Sequence, residues 1–217
     1  MKSVLIVIAA IAITLTSHAQ LGGLGKKIPG IGGGDSSGGS NADLGKLESE
    51  SFEKVTPAAE KAYEASVLFC KALNLQMEEV KEQVGTDSKK AITLARIGAA
   101  KKNFDSIKKS KKDAVNMSPE QKELFSQGHN KLGEAFGLMT ATAVPVGFAI
   151  TDAMKQAQAN PALALQYKDL VVLGAFCLKD IIDIADVRYM VWEIGRKNQV
   201  PGIPESGPEK KFTPKKG

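Results

Sequence analysis

Cysteine and histidine are scarce: the 217 residues hold two of each. The cysteines are Cys70 and Cys177, and one histidine, His18, falls in an N-terminal leader described below. What remains cannot build a closed zinc site, which takes four Cys or His ligands, and His129 has no Glu-x-x-His partner for a bundle-core metal. Arginine is nearly absent, with Arg96, Arg188 and Arg196 alone. That scarcity and a mild formal charge of +5 argue against nucleic-acid binding, where arginine reads bases and clamps phosphates. Aromatics make up 6%, so the core must be built from aliphatic and alanine side chains. No stretch alternates as a strand does, and so no phosphate-cradling strand–helix loop is expected. No Ser-His-Asp or Cys-His set can form when the one histidine lies in a different predicted helix from either cysteine. These absences predict a non-enzymatic protein with no cofactor and no metal.

The N-terminus carries the strongest positive signal. Lys2 precedes an apolar or hydroxyl run from Val4 to Thr16, and Ser17-His18-Ala19 places small residues where a signal peptidase reads. The run is about 13 residues, short of the ~20 needed to span a bilayer. Residues 1–19 are therefore expected to be a signal peptide, cleaved to leave Gln20 first. No cysteine lies near that site to take a lipid anchor, so the chain is expected to be exported, periplasmic or extracellular, and not lipid-anchored. Residues 20–45 are dominated by glycine and serine and read as a flexible linker. Residues 46–199 read as one helical domain, and residues 200–217, with Pro201, Pro204, Pro208, Pro214 and several lysines, as a disordered tail.

Four helices are predicted within the domain. Thr56-Pro57 reads as a cap with proline at the first position, followed by Tyr63, Cys70, Met77 and Val84 at sevenfold spacing and a stop at Gly85. Asp87 or Ser88 starts the second helix, striped by Leu94, Ile97, Ala100, Phe104 and Ile107. Ser118-Pro119-Glu120-Gln121 is a capping box, and Phe125, Leu132, Met139 and Val146 continue its helix, with a kink or split expected at Pro145. Asn160-Pro161 caps the fourth, striped by Leu163, Leu170, Cys177, Ile184 and Val191. Short links favour antiparallel neighbours, so the expected fold class is all-α, an antiparallel up-down four-helix bundle.

Each candidate site has a plain structural alternative. In an up-down bundle the first and last helices adjoin, so mid-helix Cys70 and Cys177 would meet, and an oxidising compartment would favour a disulfide. The alternative is two thiols serving as small apolar side chains. His129 sits one heptad before Phe136 and reads as a histidine satisfied by neighbours. Asp180, Asp183 and Asp186 form a ladder whose carboxylates fan out by about 60° per step, which suits a solvated or ion-paired face better than a cation site. Lys101, Lys102, Lys108, Lys109, Lys111 and Lys112 form a possible anionic-surface patch, or a solvated helix end complementing the dipole. Residues 135–151 carry no charge and include the small residues Gly137 and Ala141, one turn on from Gly133. They read as a buried helix packed closely on a neighbour, the rival reading being insertion into a membrane.

The expected role is a binding or structural module of the envelope or extracellular space, its partner an unknown protein or envelope component. Two alternatives follow from the same residues: a membrane-active protein inserting residues 135–151, and a ligand carrier or enzyme with a site in the bundle core.

Overall fold

A buried stripe at helical spacing runs from Leu44 through Phe52, Val55, Ala59, Ala62 and Ser66 to Phe69 and Cys70, and it is continuous across Pro57. It forms one helix, α1 (Asn41–Ala72), in the computed structural model, which describes residues 41–81, 88–110, 116–157 and 166–215. The expected leader, the linker up to residue 40, Val84, Gly85, Asp87, Lys111, Lys112, Asn160, Pro161 and Leu163 lie outside the described residues. Thr56-Pro57 does not begin this helix. Pro57 is exposed, and the carbonyl left without its donor belongs to Glu53, also exposed, where water can satisfy it. The helix starts at Asn41, inside the stretch expected to be linker.

Its end also departs from expectation. Asn74 adopts φ 53°, and Leu75 N–H donates to Cys70 O at 2.8 Å, closing the helix with a left-handed cap. Met77, read as continuing the stripe, lies instead with Val80 on a non-helical return segment, residues 73–81. Buried Asn103 holds that segment: its Oδ1 accepts from Glu78 N–H at 2.7 Å, and its Nδ2 donates to Glu78 O at 3.2 Å. Tyr63 Oη accepts from Val80 N–H at 2.9 Å.

Ser88 caps α2 (Lys89–Lys109), and the Ser118/Gln121 capping box starts α3 (Pro119–Leu138), both as the sequence predicts. After α3 the chain makes a π-helical turn, Met139–Ala143, and continues as α4 (Val144–Ala157). The wide turn sits immediately before Pro145, whose ring and missing N–H conflict with the ladder of the preceding turn. The expected kink or split is thus a π bulge in a third helix that carries on. The fourth helix repeats the device: α5 (Lys168–Ala175), a π turn at Phe176–Asp180, and α6 (Ile181–Lys197). Leu170, Cys177, Ile184 and Val191 are all buried, as their stripe requires. Every regular element among the described residues is helical.

The up-down order is not what forms. Going up α1, Glu48, Thr56, Glu60 and Ser66 meet Lys90, Thr93, Arg96 and Asn103 in turn, so α1 and α2 run parallel. Against the third helix the numbers run oppositely, Lys61 to Glu134, Glu64 to Lys131 and Phe69 to Phe125. Lys90, Lys101 and Lys108 meet Asp169, Asp180 and Asp183, which makes α2 and the fourth helix parallel too. The first, second and fourth helices therefore point one way and the third opposes them. The physical reason is the early stop at Ala72. It leaves enough chain before Lys89 to return along a helix of about 30 Å.

The tail is placed against the bundle rather than left free. Val200 and Ile203 are buried, Trp192 Nε1 donates to Pro204 O at 2.9 Å, and Phe212 stands edge-on to Phe136 with centroids 5.1 Å apart. Gly207 permits the crossing, since a Cβ there would come within 3.0 Å of the Trp192 ring.

Candidate functional site

Three of the four described lysines of the expected patch are committed to carboxylates. Lys101 reaches Asp180 at 2.9 Å, Lys108 reaches Asp183 at 2.6 Å, and Lys102 reaches Glu78 at 3.1 Å. Lys109 is exposed in the last turn of α2, and Lys111 and Lys112 lie outside the described residues. The Asp180 and Asp183 rungs of the ladder are thus ion-paired, while Asp186 is exposed. Asp180 is buried at 8% exposure, and burial pushes its carboxyl above the usual range despite the Lys101 ammonium. Lys101 in turn is held charged by its hydrogen bond to Asp180. The pairs span a groove floored by Ile97, Phe104, Phe176 and Ile184, whose cavity of about 20 Å³ has room for about one water.

The cysteines do not bridge. Both are buried with free thiols. Cys177 packs where Gly147 passes, whereas Phe69, the neighbour of Cys70, packs on Gly128. Those glycines lie about five turns apart on the third helix, roughly 28 Å, far beyond the ~7 Å Cα limit for a disulfide. The up-down order would have set the two at equal height; the parallel order does not. Burial raises the Cys70 thiol to about 11, and burial followed by the Asp180 charge raises Cys177 to about 12. Thiols so protonated are poor nucleophiles.

The small-residue ridge is also placed otherwise than expected. Within residues 135–151, Ala135, Met139, Ala143, Val144, Gly147 and Ile150 are buried, and Gly147 makes the close approach to the fourth helix. Gly137 and Ala141 instead face outward, and a Cβ on Gly133 or Gly137 would meet nothing within 4 Å. Pro119–Lys155 is long and apolar enough to cross a membrane by length and composition, with one third (33%) of its apolar window buried.

One cluster escaped the sequence reading. The Arg188 guanidinium lies 4.7 Å from the Phe136 ring centroid, and among the described residues it meets no carboxylate and makes no hydrogen bond. Burial lowers its proton affinity, and burial together with the Arg188 charge lowers that of half-buried His129. On the next residue, Tyr189, the tail lays Lys210 at 5.4 Å from the ring centroid, and Tyr189 itself packs on Trp192. The signal available in the sequence was Phe212, the single aromatic residue in a lysine- and proline-rich tail. Comparison with protein-family models, curated proteins and solved structures finds no match to this chain.

Proposed function

We propose that this chain is an exported, non-enzymatic helical module that acts by binding a protein or envelope component through its surface. One observation carries the reading. Among the described residues, the groove between α2 and the fourth helix has a cavity of about 20 Å³ and is bridged by Lys101–Asp180 and Lys108–Asp183. A drug-sized ligand needs a pocket of roughly 300 Å³ or more, so recognition is assigned to the outside of the bundle. The leader residues 1–19 supply the export half of the proposal. Mass spectrometry of exported protein should give a Gln20 start, and the mature protein should capture a stoichiometric partner from its own envelope fraction. An intact Met1 start would overturn export; a chromophore or metal in native material would return the site to the core.

A second reading, a membrane-active protein inserting residues 135–151, is supported by the uncharged outward face at Gly137, Ala141 and Pro145. Release of dye from liposomes by the mature protein would favour it; intact liposomes would leave the surface-binding reading.

A further inference from the structure

The C-terminal strap covers a cluster in which, among the described residues, the positive charge of Arg188 is met by a ring and by no carboxylate. Arg188 stacks on Phe136, His129 is near enough to feel its charge, and Lys210 lies over Tyr189. A half-buried guanidinium usually takes a carboxylate, in two parallel N–H···O bonds. Here the strap brings a positive balance instead, because Phe212 is flanked by Lys210, Lys211 and Lys215 against one acid, Glu209. What holds the strap here is Phe212 edge-on to Phe136 at 5.1 Å, Lys210 over the Tyr189 ring, and the Trp192 Nε1 hydrogen bond to Pro204 O with Gly207 against the same indole. Ring contacts favour the strap while like charges oppose it. A ligand offering the same ring together with an acid would keep the first and reverse the second.

We propose that the Phe136–Arg188–His129 surface is a binding site for a partner segment combining an aromatic side chain with a carboxylate, and that the strap around Phe212 is its displaceable intramolecular occupant. The proposal rests on the binding-module reading and assigns it a place. Strap and partner compete for the Phe136 ring, so the apparent affinity is the intrinsic one reduced by the fraction of molecules with the strap lifted.

The probe is the blocked tripeptide acetyl-Glu-Phe-Glu-amide titrated into full-length protein, with Gln-Phe-Gln and Glu-Ala-Glu analogues as controls. Binding is followed by the Trp192 indole resonance and by the titration of His129. Saturable binding of Glu-Phe-Glu, loss with Gln-Phe-Gln, and a raised His129 pKa in the complex are expected, since a carboxylate would now face the imidazole. Phe212→Ala should tighten binding by about 2- to 10-fold by removing the competing ring contact. Arg188→Gln should weaken it at least ~10-fold, and Arg188→Lys nearly as much, because an ammonium lacks the planar fork. Phe212 packs on the rim of the core and is not itself one of its fully buried side chains, so the Phe212→Ala arm keeps the proposal falsifiable even if the Arg188 variants fold poorly. Failure of the Phe212→Ala protein to bind the peptide, or equal binding by Arg188→Gln and the natural chain, overturns the proposal. A partner captured from the envelope fraction as well by Arg188→Gln would leave the binding-module reading standing while removing this surface from it.

Discussion

Gly137 and Gly147 lie on the same helix, yet replacing each with alanine should change stability in opposite directions. In a helix interior alanine is favoured over glycine by about 1 kcal/mol, because glycine has more backbone freedom to lose. At Gly137 nothing opposes that gain, since a Cβ there would meet no atom within 4 Å. At Gly147 the added carbon would lie 2.7 Å from Cys177 Cβ and 2.7 Å from Leu178 Cγ. Carbon atoms in contact prefer about 3.5–4.0 Å, so the third and fourth helices must separate by roughly 1 Å or distort. Overpacking of that kind costs about 1–3 kcal/mol, leaving Gly147→Ala roughly 1 kcal/mol below the natural chain after the helical gain. The two variants should differ by about 2 kcal/mol, which at 2–4 °C per kcal/mol separates their Tm values by ~4–8 °C. Thermal melts followed by circular dichroism, with urea midpoints at unchanged m, measure this directly. Equal stability of the two variants would refute the packing of residues 135–151 on the fourth helix. That result would reopen the membrane reading.

Further expectations follow from the buried titratable groups. Both cysteines should resist iodoacetamide in the native state, and reducing agent should leave Tm unchanged; a Cys70–Cys177 peptide in a non-reducing map would contradict the parallel order of the helices. Each thiol titrates higher when folded than its ordinary 9.0, to about 11 and about 12. The folded state therefore binds protons more tightly, and this contribution to stability is whole below pH ~9 and lost as pH rises through the folded values. Thermal melts across that alkaline range would show the loss, and Cys→Ala variants would show less of it. Lys101→Ala should destabilise by about 1–2 kcal/mol, less than a fully buried pair because Lys101 is 57% exposed. Asp180→Asn should cost less than that at pH 7. The Asp180 carboxyl, raised by burial, also favours the folded state more as pH falls through its folded value toward its ordinary one, so acid should narrow the cost of Lys101→Ala. Urea denaturation at pH 7 and pH 4 checks both variants.

Sequence alone determined the local signals. Ser88, the Ser118/Gln121 box, and the Leu170–Cys177–Ile184–Val191 stripe are each recognised from a few neighbouring residues, because a cap or a helical face is a property of one turn and its side chains. Two turns of sequence misled for the same local reason. Thr56-Pro57 has the chemistry of a helix start, but the helix on both sides of it buries one unbroken stripe, and that burial outweighs the single ladder bond proline removes. Asn74 ends α1 in a left-handed turn where glycine is the commoner sign, while Met77 kept the sevenfold spacing after Cys70 without belonging to any helix. From that one missed stop came the wrong helix order, and from the order came the disulfide that does not form. Tertiary structure alone decided which helices run parallel and which lysine meets which aspartate. It also brought Phe212 from the tail onto Phe136, which stacks with Arg188, across a sequence distance no periodicity spans. Partners of that kind are chosen by where the chain returns to, and the return is set by buried contacts such as Asn103 with Glu78, which exist only once the bundle has closed.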